Sequence, residues 1–313
     1  MMQSAVPDAR QFADQSVPST CMRRSNAVAH RKNVGVIQMA LFRWRAALPA
    51  IVLISMLTAS PWARALVFAV NEGVTYRVPL EEVRGRYSAI AADLSKLLKQ
   101  PVSIEPVGDY TSLRKGLAEK RFDLALVHPA HVSIQAIKAS GFHLVAVTKG
   151  FQNYQAQFLV RGDSPLNSLA DLKGRKLGAP DEDSITSVMV RAVLRDAGLA
   201  RDQVNMVYTR YQDAVPFFVE NRLTPSGATA SAGVIKAWGA SGGKVLAKSR
   251  AVPIKHIIAS PNLSSEDVDK VRAYFLGLGA SEEGRKKLEP TRYAGFERFD
   301  ETALLAIGAW LGL

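Results

Sequence analysis

From residue 66 onward the chain switches between short apolar runs and longer segments whose apolar residues recur every three or four positions. The run LVFAVNE (residues 66–72) is a strand signal. After Pro79, placed where proline suits a helix start, Leu80, Val83, Tyr87, Ile90, Ala91, Leu94, Leu97 and Leu98 share one helical face. PVSIEPV (101–107) predicts a strand, DYTSLRKGLAEK (109–120) a helix with Asp109 as N-cap, and FDLALV (122–127) a strand. PAHVSIQAIKAS (129–140) predicts a helix and FHLVAVTK (142–149) a strand. The pattern then restarts with a strand at YQAQFLVR (154–161) and a short helix, Gly turn and strand at SLADLKGRKLG (168–178). A helix follows from 185, then a strand at QVNMVY (203–208), a helix at YQDAVPFFVEN (211–221), a strand at GATAS (227–231) and a helix at AGVIKAW (232–238). KVLAK (244–248) and IKHIIAS (254–260) predict strands, and SSEDVDKVRAYFLGL (264–278) a helix capped by Ser264 or Ser265. Two further helices are predicted near 282–288 and 301–311.

Strands alternating with helices at this spacing predict an α/β fold of βαβ units with parallel sheets. Residues 149–154 and 247–255 are the two places where the chain could pass between sheets. That divides it into one lobe of residues 66–150 plus 252–313 and a second of 151–251, with a ligand cleft between them. A single doubly wound sheet is the alternative reading of the same pattern.

The N-terminal segment belongs to neither lobe. Arg43-Trp44-Arg45, an apolar run of 15 residues (46–60) and small residues at Ala63 and Ala65 have the layout of a secretory signal peptide. The run is short for a membrane span, which needs about 20 apolar residues. Met39 opens a complete 27-residue signal (39–65), so residues 1–38 read as an extension ahead of the true start. The segment removed carries 8 of the basic and 2 of the acidic residues, so the formal net charge of +12 becomes +6. Cys21, the single cysteine, lies there too, which excludes disulfides from the mature chain. Leu66 follows the cleavage point where a lipid anchor needs Cys, so the expected product is a monomer free in a periplasm. No basic stripe with aromatic interleaving suggests a nucleic-acid partner.

Enzyme signatures are weak. GASGG (239–243) fits G-x-S-x-G, but a nucleophile elbow needs a strand before and a helix after, and here the order is reversed. There is no P-loop and no G-x-G-x-x-G, so neither an enzyme nor a cofactor is expected. His128 and His131 in HPAH stand three apart at a strand-to-helix junction; they could face a ligand, or share a metal if a third ligand were near. The stretch GAPDEDSITSVMVRAVLRDAGL (178–199) carries more. Ile185, Val188, Met189, Ala192, Val193 and Ala197 form a buried helical face, and Gly198 suits the C′ position. The helix start offers unpaired N–H groups and the hydroxyls of Ser184, Thr186 and Ser187, which could cradle an oxyanion. Asp183 or Ser184 as an ordinary cap is the competing reading, and Asp181, Glu182 and Asp183 would repel an anion.

The order of segments resembles the phosphate/phosphite/phosphonate substrate-binding proteins of ABC transporters. RYSAIAADLSKLLKQPVSIEPVGDYTSLRKGLAEKRFDLALVHPAHVSIQA is similar to that family's N-terminal lobe. SPLNSLADLKGRKLGAPDEDSITS, YQDAVPFFVEN and GATASAGVIKAW are similar to its next units. The resemblance implies a two-lobed periplasmic-binding-protein fold with two chain crossings, which captures a small anionic ligand for an ABC permease without chemistry. A ligand-sensing partner of a membrane signalling receptor is the alternative. The resemblance places Ser184, Thr186 and Ser187 on the phosphonate oxygens, with Tyr211, Gln212, His131, His128, Tyr76 and Tyr154 completing the candidate ligand-binding set. Gln212 stands where the family commonly has His, His131 where an aromatic is frequent, and the acid some members use for a ligand amino group is not visible. Translation from Met39 predicts that mass spectrometry of the native cell finds no peptide from residues 1–38; finding such peptides overturns that start.

Overall fold

The structure, a computed structural model, describes residues 64–73 and 78–313. All but the last two residues of the expected export signal, together with Tyr76, lie outside the described residues. The first strands and helices are β1 (Leu66–Val70), α1 (Leu80–Leu98), β2 (Val102–Pro106), α2 (Tyr110–Ala118), β3 (Leu124–Val127), α3 (Ala130–Ser140) and β4 (His143–Thr148). Then come β5 (Gln157–Val160), β6 (Lys176–Pro180), α4 (Ile185–Asp196), β7 (Asn205–Thr209), α5 (Val215–Glu220), β8 (Ser226–Thr229), α6 (Ala232–Ala240) and β9 (Lys244–Lys248). The chain ends with β10 (His256–Ala259), α7 (Ser265–Leu278), α8 (Glu282–Leu288), β11 (Phe296–Glu297) and α9 (Glu301–Leu311).

Two sheets result, one ordered β11-β4-β10-β3-β1-β2 and the other β7-β6-β8-β5-β9. The expectation of parallel sheets is corrected in one respect. β10 runs antiparallel between β3 and β4, and β5 runs antiparallel between β8 and β9. Both are the strands that first enter a sheet from the other one, so each arrives at the end opposite to a strand fed by a βα unit. The two passages lie side by side. Val252 N donates to Tyr154 O at 3.0 Å, Ile254 N to Phe151 O at 3.1 Å and Ser249 N to Ala156 O at 2.8 Å. β11, only two residues long, has no sequence signal and pairs with the end of β4.

Local structure follows the capping chemistry. Asp109 accepts from Ser112 N, Ser264 from Asp267 N and Asp300 from Ala303 N, each starting its helix. The segment 211–221 begins as a 3-10 turn, Gln212–Ala214, because Pro216 lacks a donor and restarts the helix as α5. Leu80 departs from its predicted burial and is 51% exposed, since it heads α1 beyond the sheet edge. Ala197, predicted on the buried face of α4, is exposed at the helix end.

The first sheet is covered on both faces. Phe68 and Val70 pack with Tyr87, Phe275 and Phe296 on one side. Ala69, one residue out of phase, faces the side of Leu113, Ile134 and Leu304. That second cluster continues without a break into Phe158 and Leu177 of the other sheet and Met189 of α4. α9 packs against both α3 and α4. Among the described residues no helix is long and apolar enough to cross a membrane.

His256 opens β10 with no exposed surface. Its Nε2–H donates to Pro253 O at 3.1 Å, and Nδ1 lies 2.5 Å from Ser133 Oγ. Burial lowers its pKa to about 4, against the opposing hydrogen bond to Pro253. The unfolded chain binds this proton near pH 6.5 and the folded chain only near pH 4, so stability is full above 6.5 and lost on acidification through that window. Denaturant unfolding should show a slope of up to about 1.4 kcal/mol per pH unit from this group. The His256→Gln variant should lack that component; an unchanged slope overturns the assignment.

Candidate functional site

α4 starts where β6 ends, and its first turn is organised by Ser184. This residue holds an extended backbone, and its Oγ accepts from Ser187 N at 3.1 Å. The cap uses an oxygen lone pair, so the hydroxyl proton stays available to an outside acceptor. The amides of Ile185 and Thr186 stand in the first turn without intrahelical acceptors, at the positive end of the helix dipole. Ile185 interrupts the hydroxyl series because its side chain is buried in the core and anchors the helix start. Ser187 donates to Pro180 O at 2.9 Å, which commits its proton to the preceding strand.

Thr186 takes part in a closed ring of hydrogen bonds. Gln212 Nε2 donates to Tyr154 Oη at 2.8 Å, and Tyr154 Oη lies 2.9 Å from Thr186 Oγ1. Thr186 Oγ1 in turn donates to Gln212 Oε1 at 3.4 Å. Gln212 Oε1 also accepts from Ala230 N at 2.7 Å and from Thr229 Oγ1 at 3.1 Å. Those two donors settle which way the amide faces and turn its NH2 toward Tyr154. Burial pushes the Tyr154 phenol up, partly offset by its hydrogen bonds with Thr186 and Gln212, so it remains a protonated donor at neutral pH. Three predicted residues from three separate segments thus meet: Tyr154 from the outward passage, Thr186 from α4 and Gln212 from the turn before α5.

The acids do not behave as the sequence suggested. Arg114, on α2 of the first sheet's side, grips Asp183 with both nitrogens: Nη2 to Oδ1 at 2.6 Å and Nη1 to Oδ2 at 2.7 Å. Partial burial works against ionisation of Asp183, but hydrogen bonds from His131 and Arg114 and the guanidinium charge hold its carboxyl well below the usual range. Glu182 pairs with Arg201 at 3.0 Å, and Asp181 accepts from Asp183 N at 2.9 Å. Two of the three acids from which repulsion is expected thus carry a cationic partner, Asp183 with Arg114 and Glu182 with Arg201.

The histidines go to different partners. His131 is buried; its Nε2 lies 3.1 Å from Arg114 Nη2 and 3.3 Å from Asp183 Oδ1. Burial lowers its pKa, Asp183 opposes and Arg114 reinforces, so the ring is neutral at pH 7. Its Nδ1 has no partner among the described residues. His128 is turned to the return passage, where its Nδ1–H donates to Ile254 O at 3.1 Å. No group of three or more His, Cys, Asp or Glu able to hold a metal occurs among the described residues. Tyr211 is 40% exposed with the Arg210 guanidinium over its ring at 5.2 Å. Arg114, Thr229 and the Ala230 amide are additions that sequence reasoning missed. Arg114 reads as a solvated helix position, and a backbone amide leaves no mark in a sequence.

Comparison with known proteins places the chain in a family. Residues 73–304 match the family described as ABC transporter, phosphonate, periplasmic substrate-binding protein. The phosphonates-binding periplasmic protein of Escherichia coli K12 is 21% identical over 252 residues, 76% of this chain and 75% of that protein. Among solved structures, XAC2383 from Xanthomonas citri bound to ATP superposes with a TM-score of 0.65 at 16% identity, covering 79% of this chain and 97% of that one. PhnD1 from Prochlorococcus marinus in complex with methylphosphonate gives a TM-score of 0.58 at 17% identity, with coverage of 79% and 97%. These structures share the two-lobed periplasmic-binding-protein fold. With a family match over nearly three quarters of its length, the chain belongs to the phosphonate periplasmic substrate-binding proteins of ABC transporters.

Proposed function

We propose that the protein captures a phosphonate-, phosphite- or phosphate-like oxyanion between its two lobes, 66–150 with 252–313 and 151–251, and hands it to the permease of an ABC importer. The observation that carries this is the convergence of Tyr154, Thr186 and Gln212 on the capped start of α4. Their donors are paired with one another. An oxyanion with several lone pairs would let Tyr154, Thr186 and Gln212 Nε2 turn outward to it, joined by Ser184 Oγ and the first-turn amides. Hydrogen bonds to a charged acceptor contribute about 1.5–3 kcal/mol each, against about 0.5–1.5 for the neutral bonds surrendered. The exchange therefore favours the bound state only for an anion, which is the selectivity a capture protein needs.

The Arg114–Asp183 pair supplies a second element, a tie between α2 and the helix start that bears the oxyanion groups. Asp183 is 46% exposed, so the pair contributes on the order of 1 kcal/mol or less. That biases an open–closed equilibrium several-fold without locking it.

In a thermal-shift titration, methylphosphonate, phosphite or phosphate should stabilise the protein as RT ln(1 + [L]/Kd), about 2.7 kcal/mol at a hundred times Kd. The Ser184→Ala/Thr186→Ala double variant should lose that shift; a retained shift, or none with any oxyanion on the unaltered protein, refutes the reading. Separately, Asp183→Asn should raise the radius of gyration of the ligand-free protein in small-angle scattering while changing Tm by only a few degrees. An unchanged scattering profile would show that the tie does not bias closure.

A further inference from the structure

The oxyanion groups at the start of α4 are hydroxyls, amides and a half helix charge; the nearby cation, Arg114, is neutralised by Asp183. The opposite side of the cleft differs. Lys255 ends the return passage, and the next residue, His256, pairs with Val127 at the end of β3. Lys255 therefore stands level with His128, and its carbonyl accepts from Thr148 N, at the end of β4, at 3.0 Å. This is the carboxyl edge of β1, β3 and β4, the edge at which open α/β sheets take their ligands.

Its ammonium is held without being neutralised. Nζ lies 4.0 Å from the Phe151 ring centroid and 4.7 Å from that of Tyr293, and donates to Tyr293 Oη at 3.3 Å. Ring faces stabilise a cation but leave its charge in place. Among the described residues no carboxylate lies within 4.0 Å of it, and only one of its three donors is accounted for. The neighbouring acid, Glu72, has both oxygens engaged, Oε1 by Tyr87 and Oε2 by Arg86, each at 2.8 Å. His128 adds no charge, since burial and the Lys255 ammonium both push its pKa down. Burial lowers Lys255 itself to about 8, against the attraction of the Glu72 carboxylate beyond contact range, which leaves it mostly protonated at neutral pH. Beside this cluster Gly73 adopts φ +104, and a Cβ there would lie 2.7 Å from His128 Cδ2 and 3.3 Å from its Nε2. Only glycine therefore lets the backbone pass this close to the imidazole edge.

We infer that Lys255, held between Phe151 and Tyr293 at the carboxyl edge of the first sheet, is a second anion subsite that selects oxyanion ligands carrying a further acidic group, such as a phosphonate with a carboxylate tail. The inference rests on the oxyanion reading above. Two readouts separate the two. Isothermal titration of the unaltered protein should show phosphonoacetate or 3-phosphonopropionate binding at least ten-fold tighter than methylphosphonate. Lys255→Met and Lys255→Gln should each abolish that preference while changing methylphosphonate affinity less than two-fold, and Lys255→Arg should keep most of it. Absence of a preference in the unaltered protein overturns the subsite, as does a variant that weakens both probes alike. Failure of every probe to bind overturns the oxyanion reading instead.

Discussion

The two passages between the sheets are bonded to each other, and much else in the molecule depends on that contact. Had they been separate linkers, the second sheet would be free to turn about either. Paired through Tyr154 and Val252, they form a short ribbon whose two strands leave in fixed directions. This sets the antiparallel entry of β5 and β10. It also places three groups of functional interest on one ribbon: the Tyr154 phenol facing α4, the Ile254 carbonyl holding His128, and Lys255 between Phe151 and Tyr293.

On the Tyr154 side of the ribbon three polar side chains satisfy one another, and on the proposed reading the cost of that matters for recognition. Tyr154, Thr186 and Gln212 spend their donors on one another and keep the buried Thr186 from the penalty of an orphaned hydroxyl, roughly 1–3 kcal/mol. On the proposed reading a ligand competes with this arrangement, so affinity would reflect only the difference between the two sets of bonds. Such a site would be preorganised in position but not in proton direction. Gln212 fits this use well: its carbonyl is anchored by Ala230 N and Thr229 Oγ1 while its NH2 stays on the Tyr154 side. A side chain with both a donor and an acceptor end can stay fixed at one end and be read at the other.

How much of this was legible from the residues alone varies by level. Apolar periodicity located ten of the eleven strands and every long helix, because each buries a face whose repeat is visible. Two-residue β11 has no repeat to see. Strand direction was not legible either, since a buried strand reads the same both ways and only the route between sheets decides it. At the site, the Ser184 cap followed from local chemistry, while the meeting of Thr186 with Gln212 and Tyr154 came from family resemblance rather than spacing. The cationic partner of Asp183 was not legible, because Arg114 is 69 residues away and pairs at that distance leave no local pattern. Lys255 was equally silent: a single lysine in an apolar stretch looks the same whether it lies on the surface or between two rings.

The position of β10 also shapes how the chain acquires its fold. It lies between β3 and β4, inside the first sheet, yet it follows the whole of the second sheet in the chain. The second sheet draws all five strands from one continuous stretch, residues 157–248, and can complete itself from what precedes β10. The first cannot. Until residue 256 is in place, β3 and β4 have no strand between them, and their facing edges present unpaired amides and carbonyls. The larger half of the molecule thus assembles last although it begins first, and the final sixty residues decide whether the chain is a protein or only a folded insert with loose ends.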